Sequence, residues 1–276
     1  MAQWGEAFFG RGSLSLQTLK LLRSFLKINI QMSLAYRADT IVNILLNLMW
    51  LGWELLSLSI IFNNTATLGG WGLGELIALL GVFRLVNTMM IALIWPNTEK
   101  FNQSIRDGSM DYNILQPVNT MFLVTFSRIT VWRIWDLVLA ITLIIVGINM
   151  SGDTATASSI LTFILLTVSG TIVIYSLWIV LIALTFWFTK FDNNVTILQA
   201  LMDSGRYPAT VYPAWLRIIV TFVIPIAVAT TIPLQGLRGD LGLNQVLIFI
   251  AIGFISFWVA SIVWKAGLKR YSGASS

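Results

Sequence analysis

The chain has 276 residues, 57% of them hydrophobic and only 11% charged, with a mean hydropathy of +0.82. A water-soluble domain carries about a quarter charged residues, so a soluble protein is excluded and an all-α integral membrane protein is expected. The chain has neither cysteine nor histidine, which excludes disulfides, thiolate or imidazole catalysis and histidine metal sites; its net charge of +5 flanks apolar runs, which argues against nucleic acid as a partner.

In chain order, Met1 to Gly12 lacks the apolar core and small-residue cleavage site of a signal peptide. From Ser13 to Tyr36, Leu19, Leu22 and Leu26 share one helical face while Lys20, Arg23 and Lys27 share another. That pattern predicts an amphipathic helix lying at the membrane interface, or one packed on a partner protein. Six apolar spans follow within a single transmembrane domain (1–276), at 38–62, 75–95, 121–150, 159–188, 215–234 and 246–264. The third and fourth exceed the ~20 residues needed to cross and are expected to tilt or project. Between Lys190 and Leu234 two readings stay open. One is a plain fifth span kinked at Pro225; the other is a shorter span followed by a re-entrant or outer-leaflet helix pair.

Thirteen basic residues fall on one side of this layout: Arg11, Lys20, Arg23, Lys27, Arg37, Lys100, Arg106, Lys190, Arg206, Arg217, Lys265, Lys269 and Arg270. The opposite loops hold only Arg238, so both termini are expected in the cytoplasm.

Charges inside spans are expensive and need partners. Glu54 and Arg84 are expected at similar depth on the first two spans, where an ion pair is the first reading and contact with a polar substrate the second. Arg133 and Asp136, at i and i+3 on the third span, can neutralise each other, while Arg128 can reach the headgroups. Interfacial anchoring or packing accounts for most of the tryptophans.

Beyond the second span, Pro96 to Gly108 suggests a short helix over 97–107, with Asn97 as N-cap and Gly108 as its stop. Phe101 and Ile105 lie four apart on one face, shaped either to dock another protein or to pack on the chain's own spans. No Gly-x-x-x-x-Gly-Lys-Ser/Thr loop is present to hold ATP phosphates, and no carboxylate cluster offers itself to a metal. The chain is therefore not expected to be an enzyme.

The stretch Gly108-Ser109-Met110-Asp111-Tyr112-Asn113-Ile114-Leu115-Gln116-Pro117-Val118 resembles the Gly-x-(Leu/Met)-Asp-x-x-(Leu)-x-x-Pro run of bacterial ATP-binding-cassette permeases of the type-2 exporter class. More narrowly it resembles a group whose genes come as two permeases beside one ATPase. The likeness covers nearly the whole chain, including Tyr207-Pro208, Tyr212-Pro213, Leu216-Arg217 and Ile224-Pro225, although the polar stretch from Asp192 to Arg206 departs from the pattern.

The resemblance implies six transmembrane helices, an N-terminal interfacial helix and a cytoplasmic coupling helix that seats in an ATPase. Phe101, Ile105, Arg106, Asp107, Gly108 and Asp111 would be the coupling residues. Two permeases, identical or related, would combine with ATPase subunits that bind ATP and Mg in a bacterial cytoplasmic membrane. The complete machine would export a substrate by alternating access, with lipid as the surrounding partner. The alternative is a self-sufficient secondary transporter or channel, disfavoured by the absence of internal repeats and of unpaired midplane carboxylates.

Overall fold

The computed structural model describes residues 37–152, 155–188 and 194–271, together with 23, 25 and 27–31. The amphipathic helix expected over 13–36 therefore falls mostly outside the described residues. The others form helices α1 (Arg37–Phe62), α2 (Leu73–Arg106), α3 (Met110–Leu115), α4 (Thr120–Phe126), α5 (Ile134–Ser151) and α6 (Ala157–Ala183). They continue with α7 (Asn194–Asp203), α8 (Ala214–Ile218), α9 (Ile226–Ala229), α10 (Thr231–Arg238) and α11 (Leu243–Arg270). Five of these, α1, α2, α5, α6 and α11, are long and apolar enough to cross a bilayer.

The centre of the bundle is α2, packed antiparallel against α5. Gly74 meets Gly147 and Ser151, and Gly81 meets Ala140 and Ile144. A methyl at Gly147 would strike the α2 backbone at Ala78, so the missing side chains let the two backbones close. Helices α6 and α11 run side by side in the same direction. Leu166 packs with Val246, the Ser169 hydroxyl donates to the Phe249 carbonyl at 2.9 Å, and Phe186 meets the Trp264 ring at 5.4 Å. In contrast, α1 is nearly bare: 11% of its most apolar window is buried, against 67% for α2.

Two helices in sequence can be parallel only if the chain between them returns the whole length of the bundle. That return is not the span expected at 215–234. It is made by 194–211, alongside α2. Asn194 exchanges amide hydrogen bonds with Asn102 at 3.1 and 3.3 Å, Arg206 lies 5.3 Å over the Phe83 ring, and the Thr210 hydroxyl donates to the Gly69 carbonyl at 2.9 Å. These α2 landmarks run from one end of the bundle to the other. The return consists of α7 and two single turns of tight helix, Ser204–Arg206 and Ala209–Val211, joined by an extended link at Tyr207 and Pro208. No hydropathy window would select it.

The segment expected as the fifth span instead folds back on itself. Helix α8 runs into a π-helical turn at Ile219–Val223, and α9 reaches the level of Gly170 on α6, where Ala229 abuts it. Helix α10 then returns to the starting end, where Arg238 pairs with Glu75 at 2.7 Å. Pro225 marks the reversal. Of the two readings left open by the sequence, the helix pair is the one observed, with a short crossing ahead of it.

The expected third span is also interrupted: it divides into α4 and α5 at Ser127–Thr130. Nor is the expected helix at 97–107 separate. It is the last three turns of α2, which runs straight through Pro96.

Candidate functional site

Three features stand out along the axis of α2, and the first two rest on satisfying groups that a membrane would otherwise penalise.

The first is a charge cluster at mid-height. Arg84 lies eleven residues into α2, ~16 Å from its start at 1.5 Å per residue. Its guanidinium donates to Glu54 of α1 through Nη2 at 2.6 Å and Nε at 3.0 Å. The other Glu54 oxygen accepts from Arg206 at 3.3 Å, and Arg206 also holds Asp203 at 3.1 Å. Glu54 and Arg84 are largely shielded, but the Arg206 and Asp203 side chains are 41% and 44% exposed. The structure thus brings together Glu54 and Arg84 and adds Arg206 and Asp203. These two additions were invisible in the sequence because Arg206 was counted with the basic loops. Arg133 and Asp136 meet separately at 3.0 Å, at the start of α5.

The second feature is a pinned break. Pro96 has no N–H to give the Ala92 carbonyl, and the Thr130 N–H takes its place at 2.9 Å. The next residue, Asn97, is buried and spends its whole amide on the same break. Its Oδ1 accepts from the Arg128 N–H at 2.9 Å and the Ser127 hydroxyl at 2.8 Å. Its Nδ2 reaches the Thr125 and Arg128 carbonyls, both at 2.7 Å, and the Leu93 carbonyl at 2.5 Å. Residues 127–130 can leave the helix because α2 supplies the hydrogen bonds they lose. Asn97 is therefore a clasp between two helices rather than an N-cap.

The third feature is the end of the bundle bearing Lys100, Arg106, Lys265, Lys269 and Arg270, called the basic end below. Phe101 is only 2% exposed, which corrects its placing as an outward anchor. Its ring meets Phe186 at 5.5 Å and Trp264 at 5.6 Å, locking α2 to the ends of α6 and α11. Ile105 is half-buried beside that cluster. Arg106 and Asp107 are exposed, and Asp107 accepts from the Ser109 N–H at 2.9 Å. Hydrogen bonding from Ser109 keeps the Asp107 carboxyl below its ordinary value. Gly108, at φ +75°, makes the left-handed turn into α3. Met110 anchors α3 inside, while Tyr112 (70% exposed) and Leu115 (83%) point out, with Ile114 beside them. Asp111 lies near Tyr271 at the end of α11, where burial, followed by that carboxylate, raises the Tyr271 phenol. The outward apolar residues of this region are thus one helix further on than Phe101 and Ile105.

Two basic residues also move. Arg206 belongs to the mid-height cluster, and Arg217 lies at the corner near Gly69, donating to the carbonyls of Ala209, Thr210 and Tyr212. Among the described residues, no group of three or more acidic side chains could hold a metal ion.

Long apolar helices crossing side by side, intramembrane charges closed into pairs and a small helix exposed at one end define a polytopic membrane permease. Residues 48–275 match the family model described as ABC-2 family transporter protein, and the chain belongs to that family. No curated protein and no solved structure matches it.

Proposed function

We propose that the chain is the membrane-spanning half of an ATP-driven exporter, working with a separate ATPase that docks on the basic end. The observation that carries this reading is the exposed apolar tip of α3. Tyr112 and Leu115 stand clear of the chain on a helix whose base, Met110, is fully buried. A polar surface that exposes a tyrosine and a leucine side by side on a firmly seated helix fits insertion into another protein's groove.

The path from that helix into the bundle is short. Push on α3 is transmitted through Gly108 to the end of α2, and through the Asp111–Tyr271 approach to α11. The Asn97 clasp then carries the movement of α2 into the break ahead of α5. Two arrangements of α2 relative to α5, biased by the nucleotide state of the ATPase, are the physical content of alternating access here. ATP and Mg belong to the partner, and the chain itself catalyses no reaction.

A second permease, a copy or a relative, covers the bare side of α1. Arg206 and Asp203 are half-exposed at mid-height beside α1, and neither charge can face hydrocarbon. Water of a translocation path or a facing permease must lie against them. The basic end, with its surplus of lysine and arginine, is placed in the cytoplasm, and the Gly69 and Arg238 end outside. The membrane is a bacterial cytoplasmic membrane.

The test is purification of the tagged chain from its host in nanodiscs, with mass spectrometry of the proteins retained. An ATP-binding-cassette ATPase at near-stoichiometric yield, lost in Tyr112→Asp/Leu115→Asp while the chain's melting temperature is unchanged, supports the reading. A chain that purifies alone and still moves solute in liposomes sinks it. Phe101→Asp cannot serve this purpose, because it would break the aromatic cluster rather than a docking surface.

A further inference from the structure

Just beyond the Asn97 clasp, the ends of α2 and α4 enclose an open cavity with α3, about 610 Å³ in volume. Its walls divide by chemistry. Leu123, Val124 and Phe101 form an apolar side, while Gln103, Asn113 and Gln116 supply neutral donors. Two cations, Lys100 and Arg128, also line it, close enough for their charges to act on one another. Among the described residues neither cation has a salt bridge, and neither side chain has a hydrogen bond. The one carboxylate on the lining, Asp107, is turned to the Ser109 N–H at 2.9 Å.

Two like charges facing one cavity without an acid between them are costly unless an anion joins them. The height of the site narrows the choice of anion. Trp95, 50% exposed, closes the apolar run of α2, and Lys100 follows little more than one turn later, at the depth of lipid headgroups. A half-apolar, half-cationic chamber of this size accommodates a phosphate with its glycerol.

We propose that this cavity binds a phosphate anion between Lys100 and Arg128, of the kind carried by an anionic phospholipid headgroup or by free phosphate. Arg128 is also the residue whose backbone Asn97 grips, so the bound anion draws α2 and the break together from the outside of the clasp. Occupancy then stiffens the same joint that transmission crosses. The cavity shares α3, with Tyr112 on its lining, with the proposed docking surface, but the anion contacts Lys100 and Arg128 lie on α2 and the break.

The experiment uses the full-length chain purified in a neutral detergent. Short-chain phosphatidylglycerol, short-chain phosphatidylcholine and sodium phosphate are titrated separately and followed by calorimetry. Phosphatidylglycerol binding should weaken about 30-fold in Lys100→Gln/Arg128→Gln, the loss expected of two cations near a headgroup. It should remain unchanged in Lys269→Gln/Arg270→Gln, which removes the same charge from the same end but away from the cavity. Asp107→Asn should tighten it about 5-fold by removing the one opposing charge. Sodium phosphate matching phosphatidylglycerol identifies free phosphate as the source, and binding of the lipid alone identifies the headgroup. Equal binding by the first double variant, or phosphatidylcholine binding as tightly as phosphatidylglycerol, overturns the proposal. Because no ATPase enters the measurement, either result leaves the transport reading to its own test.

Discussion

Two crossings of this bundle are broken, and they are broken in opposite ways. The third passes from α4 to α5 through four non-helical residues, where α2 meets both backbone groups of Arg128 through Asn97 and the Thr130 N–H through the Ala92 carbonyl. The return at 194–211 is held piecemeal: its Asn194, Arg206 and Thr210 side chains bond Asn102, Glu54 and the Gly69 carbonyl. Its backbone at Ser204, Ala209 and Thr210 is met by the side chains of Tyr212, Thr231 and Arg217. Unsatisfied backbone in hydrocarbon costs several kcal/mol per group, so both need partners. The third crossing finds them at one short stretch of α2, Ala92 and Asn97, and can act as a joint. The return finds them along its whole length and is fixed as a seam. Movement in this permease is therefore expected at Asn97, with the charged seam as the stationary side.

The sharpest way to break that contrast is Asn97→Ala. The substitution leaves the Arg128 N–H and at least one buried carbonyl without a partner, at ~1–3 kcal/mol each, and opens a small void, for a total loss of about 4 kcal/mol. Asn97→Asp keeps the acceptor for Arg128 and Ser127 but loses the donors, and should lie between. Unfolding measured by steric trapping in bilayers gives the order directly. If Asn97→Ala costs less than 1 kcal/mol, the break is held by something other than the clasp.

The seam is tested by its ions. Glu54→Leu strips both Arg84 and Arg206 of a shared carboxylate and should cost about 3 kcal/mol, the scale for breaking a shielded pair from one side. Arg84→Leu should cost less, about 2 kcal/mol, because Glu54 keeps Arg206. The double variant Glu54→Leu/Arg84→Leu should recover at least half of the summed loss, since it leaves no orphan on α1 or α2. Strict additivity would show that the two side chains do not act on each other and that one of them serves solute or water instead.

Much of this architecture was legible in the sequence, and the parts that were not share a cause. Hydropathy reads side chains, so it found α1, α2, α6 and α11, whose apolar runs coincide with their helices. It ran through Ser127–Thr130, because the residues on either side are apolar and the break lies in the backbone. It preferred 215–234 over 194–211 because the re-entrant pair, with Trp215, Ile218 and Phe222 turned outward and α9 and α10 packed inside, is more apolar than a crossing whose charge is neutralised by Glu54. The signals that could have helped were Arg128, an unpaired charge in an apolar run, and the prolines at 208 and 213, which end the return. At the basic end, Asn97 looked like an N-cap, yet it and Pro96 lie inside α2, where the Thr130 N–H makes the bond to Ala92 that the Pro96 nitrogen cannot. Phe101 and Ile105 share a helical face as the spacing requires, but spacing alone cannot say whether that face looks outward. The Glu54 and Arg84 depths were readable because both helices are continuous and antiparallel, with a short loop between them.

The mildest test concerns the corner where the seam ends and the re-entrant pair begins. The Tyr212 hydroxyl donates to the Ser204 carbonyl at 2.7 Å, closing an eight-residue loop around Pro208. Tyr212→Phe should cost about 1 kcal/mol, the net value of one such hydrogen bond, without affecting the Asn97 joint. The bond needs the neutral phenol. Burial first, and the neighbouring Tyr207 second, raise the Tyr212 pKa above its ordinary value of 10.0. A group whose folded pKa is raised contributes fully below its unfolded pKa and loses that contribution as pH rises through the folded one. The difference between wild type and Tyr212→Phe should therefore be constant from neutral pH to about 10 and shrink above it. A difference already shrinking near pH 8 would mean that some other titrating group holds the corner, and that the seam is less rigid than its hydrogen bonds suggest.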